Sequence, residues 1–214
     1  MKSKCLEYYQ PLQHLSVDEH MVKSKSRCHM IQYMKDKPIK WGLKVWVVAD
    51  TSGYTINYNI YTGKGEECSE HSLAHDVVMK LVEPFAFQGY EVFVDDFYSS
   101  PILFQNLLDL EIHATGTLRL NRWGVPDSVK ELKSSLEAKM FGRGNGFYYR
   151  KTNSPLVFVC WKDVRVATVM STAYPGHFEH TVSRNLVNPE SGKKEPTAIP
   201  GPLLLKIQCQ DEWS

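Results

Sequence analysis

Two short apolar segments of this chain run straight into carboxylates, and what lies between them restricts the folds open to it. Leu15 to Asp18 ends on an aspartate, and Glu91-Val92-Phe93-Val94 leads directly into Asp95-Asp96. Between them, Trp41 to Ala49 and Thr55 to Tyr61 are rich in β-branched and aromatic residues, and Asp50-Thr51-Ser52-Gly53 joins them with turn chemistry, so the pair reads as a hairpin. Ser72 to Val82 then places Val77, Val78, Leu81 and Val82 at helical spacing, with His71 or Ser72 as the cap and Glu83-Pro84 as the stop. The order is three strands, a helix, then a strand. If the two acid-tipped strands are neighbours, their carboxylates meet at one edge of the sheet.

The second half continues the alternation. Pro101 sits at a favoured first-turn position for a helix over Ile102 to Leu110, and Ile112 to Leu118 reads as a strand. Arg119 to Gly146 is basic and turn-rich around a short helix at Asp127 to Lys133. Phe147 to Lys151, Leu156 to Lys162 and Val166 to Ser171 read as a meander, whereas Tyr174 to Pro202, with falling apolar density, is expected to pack irregularly or not at all. The fold class is therefore α/β: a mixed sheet flanked by helices, with a β-rich insertion over about residues 119–171. A chain of 214 residues, 43% of them hydrophobic, can fill one such core.

Charge narrows the partners. Lys plus Arg number 25 against 24 Asp plus Glu, so contact with DNA would have to come from local patches rather than from a basic composition. Cys5, Cys28, Cys68, Cys160 and Cys209 are scattered with no Cys-x-x-Cys pair, which suits a reducing compartment. The amino terminus lacks the apolar stretch of a signal peptide, and no apolar run approaches the ~20 residues of a membrane span, so a soluble intracellular protein is expected.

Alone, an aspartate at a strand end most often caps a helix or closes a turn. The surrounding text is more specific. Val17-Asp18-Glu19, Arg27 and Lys37-Pro38-Ile39-Lys40-Trp41-Gly42 are followed by Tyr61-Thr62-Gly63-Lys64-Gly65, then Val94-Asp95-Asp96-Phe97-Tyr98-Ser99-Ser100-Pro101, then Gly116-Thr117-Leu118-Arg119. In this order, over about residues 15–205, they resemble the piggyBac-type DNA transposases, whose core is ribonuclease-H-like. The resemblance implies Asp18 and Asp95 as the first and second catalytic, metal-binding carboxylates, Mg²⁺ or Mn²⁺ as the cofactor, DNA as the partner, the nucleus as the location and a homodimer as one assembly. Two-metal phosphodiester chemistry needs such convergence, because hard divalent ions prefer oxygen ligands. Asp96 is expected to cap the turn that follows it, and Glu19 to point away from the site.

The family's third catalytic Asp follows a Tyr-Asn-x-x-Met-x-Gly-Val-Asp stretch soon after a segment like Ala198 to Leu204. Here Lys206 to Ser214 differs, and codons can be chosen for it so that a one-base shift yields Arg-Tyr-Asn-Ala-Arg-Met-Asn-Gly. The expectation is a domain over 1–205 with a divergent tail, 206–214, produced by a frameshift, and a protein related to cut-and-paste transposases but catalytically inactive. A domesticated, non-enzymatic DNA- or protein-binding module is the alternative. Lys37, Lys40 and Lys44, with Trp41 and Trp46 interleaved, and Arg119 and Arg122 are candidates for DNA-backbone contact, weighed against a merely solvated face. His71 and His75 share a helix face, but zinc would need further ligands, and no zinc site is expected.

Overall fold

The structure, a computed structural model, describes residues 2–63, 70–137, 141–187 and 192–204. The divergent tail, Cys68, Cys209 and the Lys64-Gly65 part of the turn motif lie outside the described residues. After helix α1 (Lys2–Tyr8) come strands β1 (His14–Lys23), β2 (Ile31–Tyr33), β3 (Trp41–Asp50) and β4 (Thr55–Ile60), helix α2 (Leu73–Val82) and strand β5 (Glu91–Val94). Helix α3 (Pro101–Asp109), strand β6 (His113–Thr117) and helix α4 (Asp127–Glu137) lead into β7 (Gly146–Arg150), β8 (Val157–Lys162) and β9 (Val166–Ser171). A separate ribbon, β10 (His180–Val187) with β11 (Lys194–Gly201), closes the described chain.

One mixed sheet dominates, in the order β3-β1-β5-β6-β9-β8-β7, with β2 and β4 sharing the outer edge of β3. Its centre is parallel, β1 to β5 to β6, and its flanks are antiparallel. The predicted β-rich insertion is present, and its three strands extend the same sheet through β9 against β6. Ser72 caps α2 by accepting the His75 N–H, and Ser100 caps α3 by accepting that of Leu103, with Pro101 in the first turn. Both helices bury their apolar stripes in one continuous core with Leu15, Val17, Trp46, Val92 and Phe158.

Strand β8 is buried along its whole apolar run. Phe158 and Cys160 face the main core, while Val157, Val159 and Trp161 face a second cluster with Ile199 and Leu204. That second face corrects the expectation for Tyr174 to Pro202: the segment forms the β10–β11 ribbon and packs on β8. Its sequence looked surface-like because its two strands bury only Val182, Ile199 and Gly201. Pro196 and Pro200 stand four apart, so both nitrogens face the edge turned away from β10, where no ladder hydrogen bond is lost.

Candidate active site

The register of the parallel centre places the two aspartates. β1 pairs with β5 from His14 opposite Glu91 to Val17 opposite Val94, so Asp18 and Asp95 occupy the next position on each chain, side by side. The sequence reading ended the first strand at Asp18, but β1 continues to Lys23 because β3 is long enough to pair with it throughout. Asp18 therefore marks the step where β1 loses its β5 neighbour. Its Oδ1 accepts the N–H of Glu19 at 2.7 Å.

Asp95 begins a tightly bonded loop. Its Oδ1 accepts the Phe97 N–H at 2.8 Å, and its carbonyl accepts the N–H groups of Tyr98 and Ser99 and the Ser99 hydroxyl. Below it, β6 carries Gly116, where a Cβ would collide with the Val94 carbonyl oxygen and lie 2.5 Å from Ser99 Oγ. Only glycine lets the two strands approach this closely. From outside, Arg122 donates to the carbonyls of Asp96 and Phe97, and Arg119 Nη2 pairs with Asp96 Oδ1 at 2.7 Å. Both arginines, candidates for DNA-backbone contact, also brace the loop that carries Asp95. Asp96 was expected to cap a turn, but Asp95 and Ser100 do the capping and Asp96 takes Arg119.

Glu19 lies in phase with Leu15, Val17 and Met21 on the face of β1 opposite to Asp18, yet it is electrostatically tied to the site: its Oε1 meets Lys37 Nζ at 3.0 Å, the Tyr98 hydroxyl donates to its Oε2 at 3.3 Å, and its charge acts on both aspartates. Lys44 lies over the rings of Trp46 and Phe97, at 5.6 and 5.4 Å from their centroids, while Lys40 is exposed. The two tryptophans divide: Trp46 is core, and Trp41 is 61% exposed beside Tyr33.

The cluster is electrostatically loaded. Burial, then the charges of Glu19 and Asp95, holds the Asp18 carboxyl above its usual range against the Glu19 N–H and Lys37. Crowding by neighbouring atoms, then Glu19 and Asp96, does the same to the solvent-touching Asp95. For Glu19, burial works upward, but the hydrogen bond and charge of Lys37 outweigh it and the carboxyl falls below its usual range. A carboxyl raised in the folded state favours folding fully below its unfolded value of about 3.9 and loses that contribution as pH rises through the folded value. In metal-free protein, Asp18→Asn, which keeps the acceptor for Glu19, is expected to raise stability at pH 7 by on the order of 1 kcal/mol. The difference should shrink as pH falls through the folded value and be gone only well below about 3.9. Thermal melts in EDTA across that range check it, and an advantage that grows on acidification would refute the sign.

His75, the other ligand candidate, is buried and held by Asp76 Oδ1 at 3.1 Å and Asn106 Nδ2 at 2.9 Å, with His71 against its ring. Among the described residues, no three His, Cys, Asp or Glu side chains form a group able to hold a metal ion, and no helix is long and apolar enough to cross a membrane.

Three strands laid antiparallel beside a parallel pair, with one aspartate within the first central strand and another directly after the second, is the ribonuclease-H-like arrangement. The chain belongs to the family described as Transposase IS4, whose model matches residues 1–200. It is 30% identical over 189 residues to human PiggyBac transposable element-derived protein 3, covering 86% of this chain and 31% of that one. It is 26% identical over 206 residues to human PiggyBac transposable element-derived protein 2, covering 91% and 33%. It thus spans about a third of the length of these relatives. The fold is also that of the piggyBac transposase solved as a synaptic complex with hairpin DNA, with a TM-score of 0.76 at 23% identity over 99% of this chain and 40% of that one.

Proposed function

We propose that residues 1–205 are a transposase-derived domain that binds a divalent cation at Asp18 and Asp95, engages DNA, and does not by itself cleave and transfer strands efficiently. The adjacent register of the two aspartates carries this reading. The donors suit Mg²⁺ or Mn²⁺: they are hard carboxylate oxygens, and each is held above its usual range partly by neighbouring negative charge that a cation would relieve. When bound, such an ion stabilises negative charge developing at a phosphodiester. The protein's share is positional. Register sets Asp18 against Asp95, the Phe97 N–H fixes one Asp95 oxygen, and Arg122 and Arg119 hold the loop against β6.

Low turnover is the reading favoured by residues 206–214, whose sequence departs from the Tyr-Asn-x-x-Met-x-Gly-Val-Asp stretch that the family resemblance calls for there. DNA as the ligand is supported by the solved relative, a transposase in complex with hairpin DNA. The exposed Lys40 and Trp41 are the backbone and base contacts that remain unengaged by the acidic cluster, and they also favour the second reading, a binding module without chemistry. A nuclear location and transposon-end DNA go with the first reading.

The test is Mn²⁺ binding by calorimetry together with cleavage of labelled hairpin DNA by the full chain. Asp95→Asn is expected to weaken Mn²⁺ at least ~10-fold, about 1.4 kcal/mol, with no cutting by either protein. Equal Mn²⁺ binding by Asp95→Asn would refute the metal site, Asp95-dependent cutting would refute the inactivity, and salt-sensitive DNA binding indifferent to Asp18→Asn without Mn²⁺ binding would favour the module.

A further inference from the structure

Lys37 stands on the loop between β2 and β3, outside any strand, yet its ammonium reaches the step in β1 where Asp18 and Glu19 follow one another. The Glu19 side chain is only 13% exposed, and both of its oxygens are engaged, Oε1 by Lys37 and Oε2 by Tyr98. Consecutive strand residues point to opposite faces, and Glu19 shares the face of Leu15, Val17 and Met21. Past Val94, however, no β5 ladder continues beside β1, so Glu19 and the aspartates sense one another around the open strand edge. Lys37 feels all three carboxylates. One ammonium facing three carboxylates meets the same charge demand that a hard divalent ion meets, and the two cannot both occupy Glu19.

We infer that Lys37 is an internal counter-ion that keeps Glu19 out of the metal site, and that Glu19 becomes a further ligand to the cation at Asp18 and Asp95 once Lys37 is displaced. The inference rests on the metal reading above. It makes the affinity of the site depend on a lysine that touches no metal. Tyr98 holds the other Glu19 oxygen and keeps the carboxylate close to the cluster while the lysine is in place.

The test measures Mn²⁺ dissociation constants of the full chain by loss of the free-ion electron paramagnetic resonance signal, with thermal melts alongside. Lys37→Met is expected to tighten Mn²⁺ about tenfold, Lys37→Arg to match the unsubstituted chain, and Lys37→Met with Glu19→Gln to lose the whole gain. The melts give a readout independent of the titration: Lys37→Met should melt lower in EDTA, where three carboxylates lose their counter-ion, and recover in saturating Mn²⁺. If Lys37→Met folds poorly by far-ultraviolet circular dichroism, Lys37→Gln carries the same comparison. A change under threefold for the neutral variant overturns the inference. So does a gain that survives Glu19→Gln, which would make Lys37 only a nearby positive charge. If the metal reading itself is wrong, Asp95→Asn will bind Mn²⁺ as the unsubstituted chain does, an outcome that Lys37→Met alone cannot produce.

Discussion

Replacing Phe104 by alanine is expected to cost about 3–5 kcal/mol of folding free energy, the range for deleting a fully buried aromatic ring. Phe104 is fully buried on α3, beside Leu103 and Leu107, and α3 is the element that begins where the Asp95 loop ends. Removing the ring leaves a void under the helix that backbone and neighbours fill only in part, so the loss exceeds simple transfer of the side chain. Against a typical net stability of about 5–15 kcal/mol, that is enough to populate the unfolded state visibly on mild heating. Urea titration followed by circular dichroism checks it. A loss under about 1.5 kcal/mol would mean that the core collapses around the site and fills the void.

The local elements of this fold were legible because their signals are local. Ser72 before the apolar period of α2, and Ser100-Pro101 before that of α3, mark helix starts that need no tertiary information. The apolar run of β8 announced a strand of a meander, though not that both of its faces are buried or what covers the second. What escaped is what depends on partners. The outer half of β1, His20 to Lys23, is mostly exposed and lies beyond the Leu15 to Asp18 segment that reads as strand; only the length of β3 opposite makes it strand. Helix α1 is seven residues with one Lys4–Glu7 pair and no extended apolar period, and nothing in so short a segment separates it from a loop.

The site divides the same way. Motif order singled out Asp18 and Asp95, and the register of β1 against β5 then puts them in adjacent positions. The contacts that tune the pair join residues far apart in sequence, with no period to betray them: Lys37 to Glu19 across a loop, Arg119 to Asp96 across a strand and a helix, and Tyr98 to Glu19 across much of the domain. Charges in a motif say that a cluster forms; which cation ends on which carboxylate is decided by where loops fold back, and that is tertiary information.

Trp161→Ala is expected to have the other large effect, and to distribute it unevenly. The side chain is 1% exposed, packs against Ile199, and its Nε1 donates to the Pro200 carbonyl at 2.8 Å, on the edge of β11 that its prolines leave without ladder bonds. Arg184 of β10 stacks on the same ring while pairing with Asp163 at 3.0 Å, so one tryptophan ties both strands of the ribbon to β8. Losing it should cost about 3–5 kcal/mol for the buried volume, and the Pro200 carbonyl loses its donor as well. A two-stranded ribbon is marginal without a surface to lie on, so the amides of Val182 to Val187 should lose exchange protection well before those of β1 and β5. Hydrogen-exchange mass spectrometry separates the two. Equal loss across both regions would mean that ribbon and sheet unfold as one unit, whereas preserved ribbon protection would mean that Val182 and Ile199 suffice to hold it and that the tryptophan is only filling.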